Sequence, residues 1–403
     1  MTSIIPWCRD DWGRPKKPKA EEPPPLVGPI ADEFVIDAVT GRVRQAGAAA
    51  DDTPWIAKFR ERCEKSLYLF SKAVMNRDYL TPGLHLPVCQ FLQGSLARIL
   101  LLMPREHCKT TIVSHCLPPH LFVQPRETNI YFPGLAGIDT RIVLCCETEK
   151  RAMDHLRVVA AAFESNRLLR ALWPHVCWQN PRKESKNWNK SELILPRDQA
   201  REFADPSMRA IGVDGAITGS HPDALIKDDL IALEAANSPT VMETAIQWHV
   251  ASRALINDDH CREWTIGTRW AIGDLYERKL LQDPTVESVV RAVVEGGKPI
   301  YPEKFSMEKI ARLEVEMGVL FPLLYMNCAS DPTLTDFRPE YVRRWTLEAD
   351  SIVFPDDLRD VILEDVKPEL PAPETDFLRG AVLNRETYDL MRSRAEYLRL
   401  RAV

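Results

Sequence analysis

The sequence predicts an α/β fold, with a mainly parallel, doubly wound sheet flanked by helices and with helical additions at both ends. Two observations carry this. Short apolar runs read as buried strands: Leu100-Leu-Leu-Met103, Arg141-Ile-Val-Leu-Cys-Cys146, the run within His221–Ile231, and Trp264-Thr-Ile-Gly-Thr268. Stretches that open like helices follow them, at Lys109-Thr110 and at Glu147-Thr-Glu-Lys-Arg-Ala-Met-Asp154. Strand and helix in alternation place the strands parallel.

Along the chain, residues 1–52 form a disordered or peripheral segment, since Pro15–Pro25 is rich in Pro, Lys and Glu and Ala46-Gly-Ala-Ala-Ala50 offers little to pack. A helix is expected from Thr53-Pro54 through Met75, with Pro54 in its first turn and Ile56, Phe59, Cys63, Leu67, Phe70 and Val74 at helical spacing. His85–Leu102 gives a second helix and then a strand. Trp188–Phe203 alternates as a hairpin would. The basic run Arg182, Lys183, Lys186 and Lys190, with Trp178 and Trp188, reads either as a solvated loop or as a contact for a nucleic-acid backbone. Residues 53–345 make up the main domain, and 346–403 a Pro/Asp/Glu-rich linker followed by a helix over about Glu386–Leu400. No internal repeat is present.

The formal charge of the 403 residues is −6, which excludes a protein that coats nucleic acid along its whole surface. No apolar run reaches the ~18 residues of a membrane span. Ten cysteines without a secretory signal read as reduced thiols. His107, Cys108, His115, Cys116 and His120 cluster, but their spacing matches no zinc pattern.

The chemistry concentrates in three motifs. In the first, an apolar run ends at Pro104, a polar loop follows, and Lys109-Thr110 opens a helix. Strand, turn and helix N-terminus together form a phosphate-binding layout, because free N–H groups and the helix dipole meet an anion there. Pro104, Arg105, Glu106, His107, Cys108, Lys109, Thr110 and Thr111 would surround the phosphates of ATP. Lys109 would reach the β- and γ-phosphates, and the Thr110 hydroxyl would ligate Mg²⁺. The glycines of the GxxxxGK[ST] pattern are replaced by Met103 and Cys108. In the second motif a strand ends in Asp228-Asp229, where the first acid holds Mg²⁺ and the second orients the attacking water; a solvated acidic turn is the plain alternative. In the third, a strand stops at Thr268 and Arg269, a polar group and a cation that can sense the γ-phosphate, unless the segment is only a hairpin with a glycine kink.

The order and wording of these motifs resemble the large terminase subunit of tailed bacteriophages, over about residues 55–345. The matching segments are Met103-Pro-Arg-Glu-His-Cys-Lys-Thr-Thr111, Gly219-Ser-His-Pro-Asp-Ala-Leu-Ile-Lys-Asp-Asp229 and Ile266-Gly-Thr-Arg-Trp-Ala-Ile-Gly-Asp-Leu-Tyr276. Leu80-Thr-Pro-Gly-Leu-His85, Tyr301-Pro-Glu-Lys-Phe305, and Asn327 with Asp331-Pro332 extend the likeness. The resemblance implies a P-loop NTPase fold and an ATPase that threads double-stranded viral DNA into a procapsid. It further implies a ring docked on a portal protein in the host cytoplasm, a small terminase subunit as partner, and no membrane association. It gives Arg105 the role of an arginine finger acting in cis, alongside Lys109 and Asp229 in catalysis, Asp228 with Thr110 at the metal, and Thr268 and Arg269 in coupling. Gln90 reads as a surface residue or an adenine contact. Cys108 departs from the family's usual glycine, and its Cβ narrows the approach of the backbone to phosphate.

Such subunits usually continue into a metal-dependent nuclease, which needs over about a hundred residues and a set of carboxylates. Residues 346–403 are expected to hold no nuclease, which leaves room for one encoded separately. The readings that compete with the motor are a nucleotide-binding but inactive relative acting as a DNA- or protein-binding packaging component, and a helicase-like ATPase outside packaging.

Overall fold

A computed structural model describes residues 53–328, apart from 95, 126–128, 130, 133, 136, 198–203, 214, 216–218, 257 and 259, together with strand residues 34–36, 43–45, 346–348 and 351–353. The chain divides into two compact units, Met1–Asp331 and Pro332–Val403. Within the first, β1 (Phe34–Ile36) and β2 (Val43–Gln45) pair as an antiparallel hairpin in the segment expected to be peripheral.

The rest of the first unit is built on a seven-stranded sheet. Its strands are β3 (Arg98–Leu102), β4 (Ile142–Cys146), β5 (Glu192–Leu193), β6 (Met208–Gly212), β7 (Ala224–Asp228), β8 (Arg262–Gly267) and β9 (Glu287–Val290), in the spatial order β5-β6-β4-β7-β8-β3-β9. All pairs are parallel except β5 with β6. Every residue of β4, β7 and β8 is buried, as a parallel strand covered on both faces requires. Helices flank this sheet, so the expected mainly parallel α/β architecture is the observed one. A short hairpin, β10 (Val294–Glu295) with β11 (Lys298–Pro299), turns through Gly296 and Gly297, both at positive φ. In the second unit, β12 (Thr346–Glu348) pairs with β13 (Ser351–Val353). The expected helix over Glu386–Leu400 lies outside the described residues.

Local chemistry explains where the helices start. The helix Glu149–Ser165 begins at Thr148, whose side chain accepts from the Arg151 N–H, and has Glu149 in its first turn. It buries Ala152, Leu156, Val159 and Phe163, one helical stripe, while packing against β4 and β6. The helix expected over residues 53–75 is interrupted at Ser66. This residue is extended (φ −132°) and caps a new turn by accepting from the Leu69 N–H. The apolar spacing continued through the break because both pieces face the same core. Of the hairpin expected over Trp188–Phe203, Trp188 bridges Leu193, and Glu192–Leu193 joins the edge of the main sheet, antiparallel to Arg209 and Met208; residues 198–203 lie outside the described residues.

Candidate nucleotide-binding site

The site lies at the C-terminal edge of β3, β7, β8 and β4, where an open parallel sheet places ligands. From Leu102 the chain enters the loop with Met103 N–H donating to Gly267 O (3.3 Å) and Arg105 N–H to Leu324 O (3.1 Å). Glu106 and Cys108 both take positive φ, 63° and 65°. This is the left-handed conformation that glycine adopts freely and that costs other residues about 1–2 kcal/mol. Cys108 thus stands in a backbone state suited to the glycine it replaces. Its carbonyl accepts from the Ile112 N–H at 3.0 Å, so the helical run through Val123 begins at the loop.

His107, fully buried, braces the loop from below. It stacks on Phe305 (ring centroids 4.7 Å apart) and meets the edge of Tyr301 (5.8 Å). Its Nδ1 is 2.8 Å from the Arg105 carbonyl, which can only accept, so the ring donates there. Burial pulls this imidazole down to about 4. Lys304 pairs with Glu106 at 3.0 Å. The segments Leu80–His85 and Tyr301–Phe305 therefore meet under the loop, since His85 packs edge-on against the same Tyr301.

Strand β7 delivers the acid pair. Asp228 is 2% exposed; it accepts from the Thr110 hydroxyl (3.1 Å) and from the Ser114 hydroxyl (2.6 Å). Burial, and then the neighbouring Asp229 charge, push its carboxyl up to about 7. Asp229 turns out of the strand at φ 46°, its N–H donating to Ile266 O (3.0 Å) and its carbonyl accepting from Glu147 N–H (3.3 Å). One carboxylate oxygen lies 3.7 Å from Lys109 Nζ. The other is buried without a hydrogen-bond partner among the described residues. His155, on the helix Glu149–Ser165, approaches Asp228 at 3.9 Å and contacts His115 at 3.0 Å.

The third motif is a parallel strand rather than a hairpin. β8 lies between β7 and β3, with Ile266 opposite Asp228 and Gly267 opposite Leu102. Thr268, 1% exposed, follows at the level of Met103 on one side and, on the other, one residue beyond the level of Asp229. Gly267 admits no side chain, because a Cβ there would lie 2.2 Å from the Tyr276 hydroxyl. Arg269 has its guanidinium engaged by Asp274 (2.8 Å) and by Glu277, and its N–H donates to Asn327 Oδ1 (3.1 Å). It is therefore a buried, paired cation rather than an open one.

Thr110 thus meets Asp228 and Lys109 meets Asp229 across a long stretch of sequence, and Thr268 directly follows the strand that lies between theirs. Arg105 extends into solvent over Trp270, and Gln90 is exposed. Sequence reasoning missed Ser114 and His155. Ser114 was findable, because four residues after Thr110 on a helix is the same face; His155 gave no local signal. The histidines of the His and Cys cluster, whose spacing matches no zinc pattern, are engaged apart from one another: His107 stacks on Phe305, His115 meets His155 and His120 contacts the Cys63 carbonyl at 3.0 Å.

No protein-family model matches the chain, and no curated protein does. Solved structures do. The chain is similar to the large terminase ATPase domain of Thermus phage P74-26. One such structure, an arginine-to-alanine mutant, matches at 15% identity and TM-score 0.39, covering 64% of this chain and 97% of that one. Another matches at 18% identity and TM-score 0.34, covering 57% and 87%. A large terminase from a thermophilic bacteriophage, in complex with ADP, matches at 11% identity and TM-score 0.36, with 58% of this chain and 48% of that chain covered.

Proposed function

We propose that this chain is the ATP-hydrolysing motor part of a viral DNA-packaging machine. The observation that carries the reading is the convergence of Lys109 and Thr110, from the loop after β3, on Asp228 and Asp229 at the end of β7. A lysine and a hydroxyl at a helix start, set against two carboxylates, are what hydrolysis of a nucleoside triphosphate requires. The donor set fits Mg²⁺: Asp228, Thr110 and Ser114 offer only oxygen, and Asp228 is buried, so a cation would relieve its desolvation. When bound, Mg²⁺ offsets charge on the β- and γ-phosphates.

The chain's own groups supply the rest. Lys109 would move from Asp229 onto the β/γ-phosphate oxygens, which frees the Asp229 carboxylate to accept a hydrogen bond from the attacking water. Arg105, in solvent at the loop, would neutralise charge that develops on the transferred phosphoryl group. The order of the three motifs along the sequence supports the packaging assignment, with double-stranded DNA, a portal protein and a small terminase subunit as partners and a ring as the working form.

The test is ATP turnover with Mg²⁺ by the purified chain. Lys109→Ala should lower it by at least about a hundredfold, since one preorganised charge contact contributes several kcal/mol to the barrier. Asp229→Asn should bind nucleotide and not hydrolyse it, whereas Asp228→Asn should weaken Mg²⁺-dependent binding itself. Wild-type turnover in the Lys109 variant would remove the assignment.

A further inference from the structure

Arg105 and Glu106 are exposed in the loop, but Glu106 pairs with Lys304, whereas among the described residues the Arg105 guanidinium makes no hydrogen bond or ion pair. Its carbon Cζ stands 4.9 Å over the centre of the Trp270 ring. Trp270 is itself nearly buried, at 7% exposure, and fixed by its backbone, whose N–H donates to Asp274 Oδ2 at 3.2 Å. The same carboxylate oxygen takes Arg269 Nε at 2.8 Å. Trp270 is therefore fastened to the segment that leaves β8, the strand set between the phosphate loop's strand and the strand of the acid pair.

We propose that Trp270 is the positioning residue for Arg105, an indole seat that holds the guanidinium in one place and releases it to phosphate. The proposal rests on the ATPase reading. An aromatic face attracts a cation without fixing a hydrogen-bond direction. A phosphate oxygen pair, by contrast, binds guanidinium through directed, charge-assisted bonds that are stronger. The seat therefore restricts where Arg105 waits without competing against the nucleotide. Because Trp270 shares Asp274 with Arg269, a shift in the segment after β8 also moves the seat. The physical link from the third motif to the loop then runs through Asp274 and Trp270.

The test is a double-mutant cycle on ATP turnover per folded molecule, with kcat and KM separated and folding followed by melting. Trp270→Leu should lower kcat by about tenfold and leave KM for ATP within about twofold, since the contact removed lies on the group that acts in the transition state. Trp270→Phe, which keeps a ring face, should restore most of the rate. In an Arg105→Ala background, Trp270→Leu should change nothing further, because its effect passes through Arg105. Additive losses, or equal losses for the Leu and Phe variants, would overturn the positioning role and leave Trp270 as packing. A wild-type rate in Trp270→Leu while Arg105→Ala is impaired would overturn it as well, with the ATPase reading intact. A wild-type protein without Mg²⁺-dependent turnover would overturn that reading and the inference together.

Discussion

Cys108 holds a left-handed backbone (φ 65°) in the middle of the loop after β3, with Glu106 in the same state two residues before it. Its Cβ is a standing strain of about 1–2 kcal/mol, which glycine would remove at ~0.5–1 kcal/mol of added chain entropy in the unfolded state. Cys108→Gly should therefore be neutral to slightly stabilising, whereas Cys108→Val, β-branched in a region it rarely visits, should lose at least about 1 kcal/mol relative to Cys108→Ala. Urea denaturation of the three variants decides this; equal stability of Ala and Val would mean that the backbone at 108 is not held left-handed. His107, one residue earlier, makes the loop sensitive to acid. Burial against Phe305 and Tyr301 pulls its imidazole down to about 4, below the ordinary value of 6.5. Between those values the unfolded chain takes a proton that the native ring refuses, so stability falls as pH drops from about 6.5 through 4. His107→Phe keeps the stack and lacks the proton. Wild type should lose stability relative to this variant between pH 7.5 and pH 5 in chemical denaturation, and a difference that does not change with pH would refute the account.

The strands are held by an element-scale device of their own. Lys227 on β7, fully buried, meets Glu263 on β8 at 2.6 Å, and Glu263 meets Arg98 on β3 at 2.7 Å. Arg98 continues to Asp283 at 2.7 Å, and His249 closes on Lys227 at 3.3 Å. Burial alone would raise the Glu263 carboxyl, but Lys227, His249 and Arg98 hold it down to about 2. A buried ion pair is weak evidence of stability, but breaking one from a single side is expensive, at about 3–5 kcal/mol. Lys227→Met should fall near the lower end because Arg98 still serves Glu263, and adding Glu263→Gln should recover part of the loss. Denaturation midpoints measure both; a double variant as unstable as the sum of the two singles would show that the partners do not act as a pair. This network marks a limit of sequence reading. The run at Ala224–Asp228 was legible as a buried strand from its apolar residues, yet nothing local says that its one lysine is buried too. That follows from β7 lying beside β8 in register, a non-local fact.

For the molecule as a whole, the fold class was legible because buried parallel strands and capped helices write their periods into sequence. The strand order β5-β6-β4-β7-β8-β3-β9 was not, since pairing between distant strands leaves no local trace. The same division runs through the site. Lys109-Thr110 and Asp228-Asp229 were readable because each is a short motif at a strand end. Trp270 and His155 were not, because their relevance depends on which strand or helix lies alongside. Thr268 stands at the junction of the two kinds of information: it follows a legible strand, and the topology sets it between the loop after β3 and the acids at the end of β7. On the proposed function the state of the nucleotide has to be turned into movement, which requires a segment that both sites bias. Buried one residue beyond the level of Asp229, Thr268 is suited to that, and Arg269 ties the same segment to Asn327. Thr268→Ala should accordingly keep nucleotide affinity within about threefold and lose at least about tenfold in DNA-stimulated turnover, the split expected when a group acts after binding. A purely structural threonine would instead lower the melting temperature and leave turnover per folded molecule, with and without DNA, unchanged. Nucleotide affinity, melting and stimulated turnover on one preparation separate the two outcomes. A destabilised variant that is still fully stimulated by DNA would remove the third motif from coupling and leave β8 as a core strand.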